Sequence, residues 1–349
     1  MIIRGKAPLR ASFCGGGSDV SPYCDQHGGC VLSTTIQMYI YGALEVRDDR
    51  EVAIYSLDYD QLVQYDLDSE IREGDHLRFL KAVIARLDPP RGFNLYMHSD
   101  APPGTGLGSS GAASALTVGL VNHAFNMMMS RYDIAQTAYE VEHDDLGASV
   151  GRQDHYAATF GGFNFIEFSA DGTLVIPLRV ERWILEELEY HIQLFYTKKK
   201  RDSSDLVAQQ IGFYKEKREE TLSALDRMKD LTRQMHRALL TGRLRRFGEL
   251  LHESFQQKKQ MNPLAIGSYL DEIYDAARLE GALGGKILGA GGGGYFLFFT
   301  PFMRKKAVSQ ALQRLGAQPV PINLDFEGLR TWEVRGLTLR DESDGMFGK

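Results

Sequence analysis

The sequence predicts an α+β protein built as two lobes, and three observations lead there. The chain has 349 residues, which at roughly 150 residues per domain is enough for two cores. Up to about Glu167, runs rich in β-branched and aromatic residues alternate with helical segments. After about Tyr196 the pattern turns mostly helical as far as Gly281, and a short αβ-type segment follows.

In chain order, the run Ala7-Pro8-Leu9-Arg10-Ala11-Ser12-Phe13 reads as a strand, followed by strands at 31–46, 52–56 and 93–98. Helices are expected at 77–87 and 108–129, and Arg131-Tyr132-Asp133 opens another. Gly161-Gly162 leads into a strand at 163–168. Leu222, Leu225, Met228, Leu231, Met235 and Leu239 recur at spacings of three or four, the apolar face of a long helix packed into a core. Strands near 287–288 and 295–299, a helix at 302–315 and a strand at 329–334 complete the pattern. The two domains are expected at 1–185 and 186–339, with the polar residues 340–349 a disordered tail.

Bulk properties exclude several function classes. With 40 basic against 46 acidic side chains and a net charge of -6, nucleic-acid binding is not the expected role. No run of about 18 uncharged apolar residues is present, so neither a membrane span nor membrane attachment is expected. Arg4, Lys6 and Arg10 are not followed by the apolar stretch of a secretory signal. Cys14, Cys24 and Cys30 form no Cys-x-x-Cys pair, which fits a reducing cytoplasm better than a disulfide or zinc scaffold.

Glycine is the unusual component, at 36 residues against a typical ~7% of a chain. Proline is sparse and no G-X-Y period exists, so the excess is neither collagen nor linker. It falls in three clusters. Gly15-Gly16-Gly17-Ser18-Asp19 follows the first strand, and a tight turn would need one or two glycines rather than three. Pro102-Pro103-Gly104-Thr105-Gly106-Leu107-Gly108-Ser109-Ser110-Gly111 runs from a strand into a helix. Backbone N–H groups at that helix start suit phosphate. Its G-x-G-x-x-G spacing lacks the second strand and acidic residue of a dinucleotide fold, and it lacks the lysine of a P-loop. Phosphate binding survives both rejections. The third cluster, Gly284-Gly285-Lys286 through Gly289-Ala290-Gly291-Gly292-Gly293-Gly294, lies between two apolar runs as a hairpin whose backbone presses against something.

In this order the clusters resemble the three motifs of the GHMP kinases, the galactokinase, homoserine kinase, mevalonate kinase and phosphomevalonate kinase superfamily. The resemblance covers nearly the whole chain, and the 102–111 motif is specific. It implies a ribosomal-S5-like N-terminal domain and an α/β C-terminal domain, with ATP and substrate between them. Within the superfamily, Gly15-Gly16-Gly17-Ser18-Asp19, Gly151-Arg152-Gln153-Asp154 and Tyr196-Thr197 with Arg201-Asp202-Ser203-Ser204 resemble the D-glycero-D-manno-heptose 7-phosphate kinases. Galactokinases carry Gly-Glu-His where this chain has Gly15-Gly16-Gly17.

The resemblance assigns the chemistry. Pro103, Gly104, Thr105, Gly106, Leu107, Gly108, Ser109, Ser110 and Gly111 would hold ATP. Ser110 and Glu142 would hold Mg²⁺, although Glu142-His143-Asp144-Asp145 taken alone fits a solvated helix end. Asp154 would orient or accept the proton of the attacking hydroxyl, and Arg10 would pair with it and stabilise developing charge. Gly16, Gly17, Ser18, Asp19, Arg201, Gly291 and Gly292 would contact a small-molecule sugar phosphate. Lys198, Lys199, Lys200, Lys258 and Lys259 are further cations for its phosphate. The implied reaction is phosphorylation of the anomeric hydroxyl of a heptose 7-phosphate to the 1,7-bisphosphate. A kinase for a fucose- or galactose-like sugar and a non-catalytic ATP and sugar sensor stay open as alternatives, and a homodimer is compatible with the sequence.

Overall fold

The structure of the protein is a computed structural model describing residues 1–335 except 59, 71–73, 75–76 and 200–202. Arg201, Lys200 and the tail at 340–349 lie outside the described residues.

A large sheet organises the first half. Its strands are β1 (Ile2–Cys14), β2 (Gly29–Val46), β3 (Glu51–Ser56), β4 (Gln61–Asp66) and β5 (Phe93–Ser99), with β6 (Asn164–Ser169) and β7 (Gly172–Pro177) as a hairpin beside the start of β2. Neighbours are antiparallel except β3 and β5, which run parallel. The first strand is six residues longer than the expected 7–13 run because Ile2–Lys6 also find partners on both sides.

The helices that accompany this sheet begin with α1 (Tyr23–His27), α2 (Arg78–Leu87), α3 (Ser109–Phe125) and α4 (Arg131–Glu140). Every residue of α3 from Gly111 to Val121 is buried, so the helix is apolar all round, as a central element must be. It approaches the sheet closely: a Cβ on Gly42 would stand 2.7 Å from Leu120, and one on Gly5 2.9 Å from Leu116. Asn126 ends it in the left-handed conformation, four residues before the expected end. Ser130 and Asp133 then form a reciprocal capping box that starts α4. A π-type turn, Val141–Asp145, follows α4 and precedes α5 (Gln153–Phe160), whose C-cap Gly161 leads into β6.

The second half adds α6 (Arg182–His191), β8 (Ile192–Tyr196), α7 (Ser203–Lys215), α8 (Glu219–Leu240), α9 (Leu244–Met261) and α10 (Ser268–Leu279). Then come β9 (Gly284–Ile287), β10 (Tyr295–Phe299), α11 (Lys305–Arg314) and β11 (Gln318–Val320). These four strands form an antiparallel sheet in the order β11-β8-β10-β9. Helix α8 buries Ala224, Leu225, Met228, Leu231, Met235 and Leu239, while Leu222 is only half-buried. The last described strands, β12 (Leu324–Asp325) and β13 (Arg330–Val334), return to the large sheet beside β2 and β1. The 330–334 segment, expected within the second lobe, therefore closes the first sheet instead. Its mix of exposed and half-buried residues suits a sheet edge against β1. Among the described residues no helix is long and apolar enough to cross a membrane.

Candidate active site

The phosphate-type loop leaves β5 at Ser99 and enters α3 at Ser109. Gly108 is the N-cap, at φ 75°, and offers no side chain to the first N–H groups of the helix. Those donors are therefore free for a ligand, at the positive end of the helix dipole. Gly104, Gly106, Gly108, Ser109, Ser110 and Gly111 line a cavity of about 150 Å³. Thr105 and Leu107 are buried and serve the loop itself: the Thr105 hydroxyl donates to the Pro102 carbonyl, and the Leu107 carbonyl accepts from Arg10 N. Pro103 faces a second, largely apolar pocket of about 110 Å³ between Ile40, Phe79, Leu80, Met97 and Ala113, joined to the first through Gly104, Ser109 and Ser110.

Against this loop, at the wall of the same cavity, stand Arg10 and Asp154. Arg10 lies mid-strand in β1 and is 3% exposed. Its Nε and Nη2 donate to the two Asp154 oxygens at 2.8 and 3.0 Å, and Nη1 donates to the Gly106 carbonyl. A bidentate guanidinium–carboxylate pair fixes both partners. Asp154 projects from the first turn of α5 against the start of α3. A Cβ on Gly111 would stand 2.9 Å from Asp154 Cβ, and one on Gly108 3.0 Å from its Cγ. The loop's glycines thus admit a carboxylate as well as a phosphate.

The first cluster forms the adjoining wall. Gly16, Gly17 and Asp19 line the cavity, whereas Ser18 is buried behind them and bonds to Gly15 and Cys30 carbonyls. Asp19 is 1% exposed. Its oxygens accept from Gly17 N at 2.9 Å and from Gln153 N and Nε2 at 3.2 and 3.0 Å. Burial pushes its carboxyl up, with the Gly17 N–H opposing and the Asp154 charge adding to the rise.

Glu142 sits on the π-type turn, buried, while its neighbours Asp144 and Asp145 are exposed. It accepts from Ser110 Oγ at 2.8 and 3.0 Å and from Ser114 Oγ at 2.7 Å, and His155 Nε2 lies 3.5 Å away. Burial alone would raise this carboxyl. The His155 charge and the serine hydroxyls outweigh it and hold it below the usual range, while His155 is raised in turn. Among the described residues no group of three or more His, Cys, Asp or Glu could hold a metal ion. One ionised carboxylate and one hydroxyl nonetheless fit Mg²⁺, which takes few protein oxygens and completes its shell with phosphates and water.

The third cluster behaves differently. Its backbone packs on the phosphate-type loop: a Cβ on Gly294 would stand 2.1 Å from the Thr105 carbonyl oxygen, and one on Gly289 2.6 Å from Gly106 Cα. Gly289 and Ala290 reach the cavity. Gly291 and Gly292 instead lie against Ala265, whose carbonyl accepts from Gly292 N at 2.7 Å. Lys198 and Lys199 are exposed and Lys259 pairs with Asp271 at 2.7 Å, but Lys258 is buried against the cavity. Gln153 and Lys286 were not among the expected site residues. A lysine inside the wholly buried strand Gly284–Ile287 is the signal that marks the latter.

The chain is similar to known proteins. Residues 76–162 match the GHMP kinases N terminal domain and residues 235–318 the GHMP kinases C terminal family model. The D-glycero-alpha-D-manno-heptose 7-phosphate kinase of Campylobacter jejuni subsp. jejuni serotype O:2 is 34% identical over 342 residues, 95% of this chain and 99% of that protein. A crystal structure of a D-glycero-D-manno-heptose 1-phosphate kinase from Bacteriodes thetaiotaomicron has a TM-score of 0.77 at 31% identity, covering 96% of this chain and 100% of that one. Lactococcus lactis galactokinase complexed with galactose shares the fold, with a TM-score of 0.75 at 22% identity and 95% of each chain covered. With both family models matched and this likeness covering 95% of the chain, the chain belongs to the GHMP kinases, a family of phosphotransferases.

Proposed function

We propose that this protein is an ATP-dependent sugar kinase that phosphorylates the anomeric hydroxyl of D-glycero-D-manno-heptose 7-phosphate, giving the 1,7-bisphosphate. The observation that carries the reading is the Arg10–Asp154 pair packed against the uncapped start of α3, with both lining one cavity. A proton acceptor and a phosphate anchor are thereby held side by side at the space where a hydroxyl and a terminal phosphoryl group must meet. The likeness to the Campylobacter jejuni heptose 7-phosphate kinase supports the choice of sugar.

The residues then take these parts. The apolar pocket beside Pro103 receives the base of ATP, and the N–H groups from Gly104 to Gly111 hold its phosphates. Asp154 takes the proton of the attacking hydroxyl, and Arg10 keeps the carboxylate oriented while offsetting charge that develops on the transferred group. Asp19, fixed by Gly17 and Gln153, orients sugar hydroxyls. Ser110 and Glu142 would hold Mg²⁺, which supplies neutralisation of phosphate charge. Arg201 stays a proposed contact for the substrate phosphate, and the cytoplasm the proposed location.

The test is ADP release from purified protein with ATP, Mg²⁺ and a panel of free and phosphorylated hexoses and heptoses, with phosphorus NMR of the product. An anomeric phosphate on heptose 7-phosphate is the expected result. No ADP with any member of the panel overturns the proposal.

A further inference from the structure

Beside the Arg10–Asp154 pair stand two buried lysines to which the reaction above gives no part: Lys258 lines the cavity and Lys286 lies behind Gly16. Lys258 comes from the last turn of α9 and Lys286 from the middle of β9, and they are 8% and 7% exposed. Lys258 Nζ donates to the Gly289 carbonyl, and Lys286 Nζ lies 3.4 Å from Ser12 Oγ. Both partners are neutral oxygens. The carboxylates of this corner are engaged elsewhere, Asp154 by Arg10 and Asp19 by Gly17 and Gln153. Three cations, Arg10, Lys258 and Lys286, therefore share a buried corner with two carboxylates. An unmatched buried ammonium group is costly unless an anion joins it.

Gly16 marks where that anion would sit. A Cβ there would lie 3.5 Å from Gln153 Nε2, 3.9 Å from Lys286 Nζ and 3.9 Å from Ser12 Oγ. Three side-chain polar groups thus converge on the space a side chain would fill, and Gly16 lines the cavity. Burial pushes both amines down, Lys286 to about 8, so an arriving anion also restores their protons.

We propose that Lys258 and Lys286, with Ser12 and the Gln153 amide, form an anion subsite beside Gly16 that binds the phosphate already carried by the acceptor. This rests on the sugar-phosphate kinase reading and names the residues that select a phosphorylated over a free sugar.

The test compares kcat/KM for heptose 7-phosphate and for the unphosphorylated heptose in the whole protein and in Lys258→Met and Lys286→Met. Circular dichroism checks that each variant is folded. Losing one charged hydrogen bond lowers the ratio of the two values by about 10- to 100-fold. Equal losses for both sugars, or no loss, overturn the subsite. A second measurement separates its failure from failure of the kinase reading: calorimetric titration of inorganic phosphate into ADP-saturated protein. If no sugar turns over but phosphate binds and both variants abolish the binding, the subsite stands and the kinase reading falls. Absent binding, or equal binding in all three proteins, overturns the subsite.

Discussion

Asp154 has two tasks that a neutral amide cannot share, pairing with Arg10 and accepting a proton. Asp154→Asn should keep the fold and the affinity for ATP while lowering kcat by about 10²- to 10⁴-fold. Retained kcat, with nucleotide titration as the control, would remove Asp154 from that role. Lys286 gives a second prediction, in pH. The groups facing it are Arg10 and Cys14 on β1, Asp19, Lys258 on α9 and Asp154 on α5, and burial brings it to about 8. Cys14 is pushed up by burial and stays a thiol. The ammonium form that attracts phosphate exists below that value, so KM for the phosphorylated sugar should rise as pH increases above about 8 and stay flatter in Lys286→Met. An identical KM profile in both proteins would contradict it. Arg10 and Asp19 sit beside a glycine motif, whereas Glu142 and Asp154 were legible only through the resemblance, since each taken alone fits a solvated helix end or a turn. Gln153 and Lys286 were not, because their meaning lies in meeting Asp19 and Ser12 across more than a hundred residues.

At the scale of elements, the glycine clusters located the turns, but composition does not say what a glycine faces. Gly108 and Gly111 make room for Asp154, whereas Gly106, Gly289 and Gly294 let two backbones touch. The third cluster was expected to press its backbone against something, and the resemblance assigned Gly291 and Gly292 to substrate, but of its residues only Gly289 and Ala290 reach the cavity. A pair of substitutions separates the two uses. Gly104 and Gly106 both have positive φ, at 73° and 84°. A Cβ on Gly104 meets nothing within 4 Å, while one on Gly106 would stand 2.4 Å from the Leu288 carbonyl oxygen. Gly104→Ala should cost only the left-handed backbone, about 1–2 kcal/mol. Gly106→Ala must also part the loop from the β9–β10 hairpin, so its urea midpoint should fall clearly further. Equal midpoints would show that this backbone contact does not hold the loop.

Across the whole molecule, local periodicity recovered the alternation of strands and helices but not the return of the chain. The strand at 330–334 was expected, but neither it nor β12 carries a signal that names its partner, β1 for one and β2 for the other. Asp325 is what fastens this return. Its carboxylate accepts from Tyr39 Oη at 2.9 Å, Glu327 N at 3.1 Å and Gly328 N at 3.2 Å, and its carbonyl accepts from Thr35 Oγ1 at 2.9 Å. Asp325→Ala leaves the Tyr39 hydroxyl and two backbone donors without their acceptor, a loss on the order of 3 kcal/mol. None of these groups lines the cavity beside Asp154. The melting temperature should therefore fall while the kcat of the protein that remains folded stays the same. A large drop in kcat at an unchanged melting temperature would mean that the returning segment shapes the site itself rather than closing the sheet beneath it.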